Sequence, residues 1–257
     1  MNAALPVALA ALLALPVIAA PAMAQDLPAV SLSYDMGIGA KMLPKYEGSD
    51  ENDTKPWVIF RNFDIVLGSR NRGDADAPQG FSFGPNFVLV SKRETGPDAI
   101  EPLRGLDPID RGLEAGLRIG WRTGPVRFYG TARKAIGGHH GVTGEVGVAL
   151  TARPAEDWTL TSSVEAQYGD RTFMEAYFGI SPDEAERSGH PEHAVGGGVK
   201  AHALTFEARY RVTDDWSMLG RVQAKRLVGD AADSPIVRDR DQVWVGLGVV
   251  RSFNFRF

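Results

Sequence analysis

The sequence predicts an all-β protein, a transmembrane antiparallel β-barrel of about ten strands, and three features carry that prediction. The last segment alternates strictly, with Val243, Val245, Leu247, Val249, Phe253, Phe255 and Phe257 on one face and Gly246, Gly248, Ser252, Asn254 and Arg256 on the other. The run is longer than a soluble strand usually is; it fits a tilted strand with one face on lipid and one on a polar lumen. The amino terminus reads as an export signal. Very short turns at one end of the alternating segments and long polar loops at the other match short periplasmic turns and longer outer loops. The competing reading of the last segment alone is a sandwich strand with a single core face. Arg251 is the one charge on its apolar face, and it must reach the membrane rim or sit at a bulge.

Residues 1–24 contain no charged side chain, and the apolar run from Leu5 to Ala20 leads to Ala22-Met23-Ala24, a small-x-small pattern that predicts cleavage before Gln25. Pro6, Pro16 and Pro21 interrupt the run, which falls short of the roughly 20 residues a spanning helix needs. Residues 1–24 therefore read as a cleaved secretory signal peptide, though one without a basic n-region, and residues 25–257 as the barrel domain. No long apolar run follows, so a membrane-embedded mature chain must be a barrel. Residues 29–43 form a first strand around Tyr34, Gly37 and Gly39, and residues 80–93 another with Phe81, Phe83, Phe87 and Leu89. Between them, residues 57–67 make one long strand or a short hairpin broken at Asn62. Counting that segment once gives about ten strands and splitting it about twelve, since bacterial barrels keep even numbers.

The remaining strands follow in order. Residues 111–122 set Leu113, Ala115, Leu117, Ile119 and Trp121 against Glu114, Gly116, Arg118, Gly120 and Arg122, and Thr123-Gly124-Pro125 makes a tight turn. Residues 126–136 oppose Val126, Phe128, Gly130 and Ala132 to Arg127, Tyr129, Thr131 and Arg133. Residues 142–152 turn Val142, Val146, Val148 and Leu150 outward and Thr143, Glu145, Gly147, Ala149 and Thr151 inward. From Trp158, the residues Leu160, Ser162, Val164, Ala166 and Tyr168 oppose Thr159, Thr161, Ser163, Glu165 and Gln167. After a long loop, residues 197–212 return with Leu204, Phe206, Ala208 and Tyr210 outward, and Asp214-Asp215 turns into the strand of residues 216–227. Trp121, Trp158 and Trp216 all fall beside the short turns, which predicts an aromatic girdle at one membrane interface.

This alternation turns Glu114, Arg118, Arg122, Arg127, Arg133, Glu145, Glu165, Glu207, Arg209, Arg221 and Lys225 into the lumen. Enclosed charges must be paired or hydrated, and a barrel this small has little room once long side chains fill it. The expectation is an interlocking ion-pair core; the alternative is a narrow, mildly anion-preferring pore. The net charge of −4 gives no reason to expect a nucleic-acid partner, and the absence of cysteine excludes disulfides, thiolate metal sites and thiol nucleophiles. His139-His140 and the pair His190 and His193 lie in loops with no register to fix a metal, so neither metal nor cofactor is expected. Ser49, Ser162, Ser163 and Ser217 lack a nucleophile motif, and His202, within a strand, has no orienting partner, so no catalytic residues are expected.

Several ordered motifs resemble the MltA-interacting protein (MipA/OmpV) family of Gram-negative outer membranes. They are Gly37-Ile38-Gly39, Pro44-Lys45-Tyr46-Glu47-Gly48-Ser49-Asp50, Leu103-Arg104-Gly105-Leu106-Asp107, and Tyr177-Phe178-Gly179-Ile180-Ser181 through Ala185 to Ser188-Gly189. Leu227, Gly229-Asp230 and Asp233-Ser234-Pro235-Ile236-Val237 complete the series across the mature chain. The resemblance implies a barrel that is not an enzyme, set in outer-membrane lipid, and a scaffold for a lytic transglycosylase and a bifunctional murein synthase. Porin-like and adhesive surface roles are the alternatives that it also implies. A terminal aromatic, here Phe257, resembles the signal read by the barrel assembly machinery.

Overall fold

The computed structural model describes residues 30–67 and 79–256, so the signal peptide reading of residues 1–24 and the terminal Phe257 lie outside the described residues. Ten antiparallel strands close on themselves: β1 (Val30–Pro44), β2 (Asn52–Leu67), β3 (Gly80–Val90), β4 (Gly112–Thr123), β5 (Val126–Gly137), β6 (Val142–Ala155), β7 (Trp158–Gly169), β8 (Gly198–Arg211), β9 (Trp216–Leu227) and β10 (Asp241–Arg256). Each pairs with its sequence neighbours, and β1 meets β10 from Ser31–Arg256 to Met42–Val245. Among the described residues no helix is long and apolar enough to cross a membrane.

Residues 57–67 belong to one strand. Asn62 and Phe63 together oppose the single residue Tyr34, a bulge that bends β2 without breaking it, so the described residues form a barrel of ten strands and not twelve. Gly124-Pro125 turns β4 into β5, with Gly124 at φ +55, while β6–β7 and β8–β9 turn nearly as tightly at the same end.

Burial is inverted relative to a soluble protein. Outward Ile38, Leu117 and Leu247 are 74%, 64% and 68% exposed, whereas inward Glu114, Thr131 and Gln223 are buried. Large apolar side chains lie exposed on all ten strands, among them Met36, Val58, Phe81, Leu117 and Phe128, and this discards the sandwich reading, whose apolar face would be its core. Arg251 does point outward with the apolar residues. It sits at the short-turn rim, 3.2 Å from Asp215 and over the Phe253 and Trp216 rings, so its charge is met at the interface.

Candidate functional site: the outer cap and the filled lumen

The long loops fold into a cap over one mouth. In the β7–β8 connection, Asp170 caps α1 (Arg171–Phe178) by accepting from the Phe173 amide at 2.8 Å. Ser181 opens α2 (Pro182–Ser188) with a capping box closed by Glu184, and Gly189 ends it at φ +78. A short helix α3 (Gly229–Ala232) lies in the β9–β10 connection, and a 3₁₀ turn (Glu101–Leu103) in the β3–β4 loop. Leu103, Leu106, Ile180 and Ile236 bury one another, with Tyr46 and Ala185 against them, so four loops share one apolar cluster. A second cluster joins Phe173, Met174 and Phe178 to Val195, Leu227 and Ala231.

Polar contacts sew the same loops together. The Glu184 carboxylate accepts from the Asp107 amide at 2.9 Å as well as from Ser181. Burial opposes its charge, but these amide hydrogen bonds hold the carboxyl below the usual range. The Ser234 hydroxyl donates to the Phe178 carbonyl at 2.6 Å, and the Tyr46 hydroxyl to the Ile236 carbonyl at 2.8 Å; burial pushes the Tyr46 phenol up to about 12. Gly105, at φ +79, lies so close to α2 that a Cβ would stand 2.8 Å from the Arg187 and Ser188 backbone.

Beneath the cap sits a charged cluster. Glu47 accepts from Lys200 at 2.8 and 2.9 Å and from Lys225 at 2.5 Å, and the Lys200 ammonium rests 4.4 Å from the Phe173 ring centroid. Burial raises the Glu47 carboxyl, but the two ammonium groups outweigh it and hold it well below the carboxylate range. Glu114 accepts from Arg133 at 2.8 Å and Thr143 at 2.7 Å, and lies 3.0 Å from His139 Nε2. The Gly141 amide donates to His139 Nδ1, so the imidazole proton is on Nε2 and points at Glu114.

Deeper, the lumen is crossed by side chains. Arg61 of β2 pairs with Glu207 of β8, and Asp35 of β1 with Arg209 of β8 and, at 2.7 Å, with the Ser252 hydroxyl. Glu165 accepts from Tyr129 and Gln167 at 2.8 Å, while Arg118 and Arg221 stack on the Tyr129 and Trp244 rings. Ile59, Leu219 and Val250 pack into an apolar layer beside these pairs.

Of the remaining predicted lumen charges, Glu145 lies 3.7 Å from Arg133 and Arg127 reaches Ser82 at 3.4 Å. Trp121, Trp158 and Trp216 sit half-exposed at the short-turn end. Sequence reading missed Asp35, Glu47, Arg61 and Lys200. Lys200 is hidden by a bulge: Gln167 pairs with Ala201 and Tyr168 with Val199, so Lys200 is extra and turns inward beside Ala201. Among the described residues no three His, Asp or Glu side chains gather around a metal-sized site, and the hydrolase candidates Ser217 and His202 fall on opposite faces of the wall.

The family model described as MltA-interacting protein MipA matches residues 36–253. The search of curated proteins finds no match. Among solved structures, the chain is similar to an outer membrane channel from Pseudomonas putida F1, at 12% identity over 93% of this chain and 97% of that one, with a TM-score of 0.44. It is also similar to the KdgM porin, at 11% identity over 88% and 99%, TM-score 0.35. The outer membrane protease OmpT from Escherichia coli matches at 11% identity over 90% and 97%, TM-score 0.31.

Proposed function

This chain belongs to the MltA-interacting protein MipA family, and from that membership we propose that it is a scaffold which anchors murein-synthesis and lytic transglycosylase enzymes at the outer membrane. It is an outer-membrane β-barrel protein of a Gram-negative bacterium. The observation that carries the scaffold reading is the filled lumen: Arg61–Glu207 and Asp35–Arg209 tie β2 and β1 to β8 across the bore, and the cap closes one mouth. A barrel built this way serves as an anchor without first being opened. The same proposal includes a mature chain starting near Gln25, a lipid-interface girdle of Trp121, Trp158 and Trp216, assembly signalled by Phe257, and no catalysis.

Two measurements on the full chain test it. In a planar bilayer the purified protein carries little steady current, and mild crosslinking in cells recovers a lytic transglycosylase with it. Arg118→Gln with Arg221→Gln destabilises the barrel, because the inward Tyr129 and Trp244 rings lose the guanidinium groups stacked on them. A stable current abolished by those substitutions, with no murein enzyme recovered, moves the assignment to a small-solute channel.

A further inference from the structure

The wall is not zipped evenly. Among the described residues β2 and β3 pair only at Ile65–Phe83 and Val66–Ser82, near the short-turn end, whereas β3 pairs with β4 from Gly80–Arg122 to Val90–Gly112. The paired stretch ends where Gly84 nestles on the Phe63 carbonyl, a contact that a Cβ would block. Above it the two strands run on toward the capped mouth without a ladder.

Two prolines keep it open. On strands running toward the cap, inward Ala135 and Leu227 donate their N–H groups to the following strand's end; on strands running away, inward Thr151, Arg211 and Ser252 donate to the preceding one. Side-chain face and N–H direction alternate together, so outward residues point their nitrogens the other way. Pro85, outward opposite Leu117 on β3, therefore turns its nitrogen to β2, and Pro56, outward opposite Ala40 on β2, turns its nitrogen to β3. Each removes a ladder donor from the same seam.

The lips of this slot break the barrel's polarity rule. Residues 57–60 and 87–90 are apolar on both faces, including inward Trp57, Ile59, Val88 and Val90, where most other strands turn charges and hydroxyls inward. Val88 is 42% exposed although its inward neighbour Glu114 is buried. At the capped end of the slot, inward Lys41 and Lys55 face one another across β1 and β2. Bare lip N–H and C=O groups need water from the lumen side or a polar ligand head. We infer that the open half of the β2–β3 seam is a binding slot for a single-chain anionic amphiphile of the fatty-acid class, entering sideways from the outer leaflet with its chain between the lips and its carboxylate at Lys41 and Lys55.

The test uses the full protein refolded in nanodiscs, with cis-parinaric acid as the fluorescent probe and oleate or oleyl alcohol as competitor. Saturable binding above that of empty nanodiscs is expected, with oleate displacing the probe. Lys41→Gln with Lys55→Gln weakens binding of the acid about tenfold and leaves displacement by the alcohol unchanged. Pro56→Val with Pro85→Val restores both donors and closes the slot, so binding is lost while heat-modifiable gel mobility shows the barrel folded. The lipid-facing pair Val58→Cys and Leu89→Cys reads the gap: no disulfide forms where the lips stand wider than about 7 Å between Cα atoms. Binding no greater than in empty nanodiscs, binding that survives the proline replacements, or a disulfide that forms fully without affecting uptake would each overturn the inference.

Discussion

Glu47 ties the β1–β2 loop to Lys200 of β8 and Lys225 of β9, and replacing it with glutamine tests the electrostatics of the mouth. Its carboxylate is 23% exposed, against 10% and 14% for Lys200 and Lys225, so water screens the trio poorly. Removing one partner from such a buried cluster leaves uncompensated charge and costs about 3–5 kcal/mol. Lys200 keeps its contact with the Phe173 ring in both proteins, so that contact does not enter the difference. The expected loss for Glu47→Gln is therefore about 3–5 kcal/mol, read from urea folding titrations in lipid vesicles. Adding Lys225→Gln removes one of the two orphaned charges, so the double variant should be more stable than Glu47→Gln alone.

The pH dependence has a definite sign. A carboxyl held below its unfolded value gives stability that is fully present above the ordinary carboxylate range and is lost as pH falls through it and below. Wild type should lose stability more steeply than Glu47→Gln as the medium is acidified under that range, and the two should run parallel at neutral pH. A double variant whose loss equals the sum of the single losses, or an acid limb unchanged by Glu47→Gln, would show that the trio is not the coupled unit described above.

Two further outcomes bear on the wall and the cap. Leu117→Arg, on an outward residue, should cost about 2–4 kcal/mol if it lies near the bilayer midplane, whereas Thr161→Arg meets only crowding in the lumen; vesicle folding titrations giving equal penalties on both faces would sink the inside-out register. Gly105→Ala should cost at least about 1–2 kcal/mol from its left-handed backbone alone, more with the clash against α2, and should speed proteolytic nicking of residues 170–197 on intact vesicles; unchanged nicking would detach Gly105 from the cap's stability.

The strands were legible because lipid and lumen impose a period of two on every spanning residue, and the inward positions of Arg118, Arg133, Glu165 and Arg221 follow directly from it. What broke the period was not legible. The bulge at Asn62–Phe63 left the strand count between ten and twelve, and the bulge at Lys200 disguised an inward lysine as an outward one. Pairing across the bore was also hidden: that Arg61 meets Glu207 depends on which strands face one another in the closed ring, which alternation does not encode. The cap helices did leave a trace, since Ser181-Pro182-Asp183-Glu184 is a capping box with proline at its start, yet within a long loop it reads simply as polar sequence.

The motifs that resemble the family are mostly the residues that build the cap: Tyr46, Leu103, Leu106 and Ile180 in its core, Glu47 beneath it, Gly105 and Asp107 against α2. A membrane strand asks only for apolar or polar character at each position, and many sequences supply that. A cap asks for particular atoms: a left-handed backbone at Gly105, a carboxylate of the right reach at position 47, a hydroxyl at Ser234 for the Phe178 carbonyl. Opening this mouth for conduction would break the Ser234–Phe178, Tyr46–Ile236 and Glu184–Asp107 hydrogen bonds, each worth about 1 kcal/mol and more when a charged group is involved. It would also expose the shared apolar cluster and still leave Arg61–Glu207 and Asp35–Arg209 across the bore. The anchoring role proposed above requires none of these losses, which is why a conducting role costs this barrel more than an anchoring one.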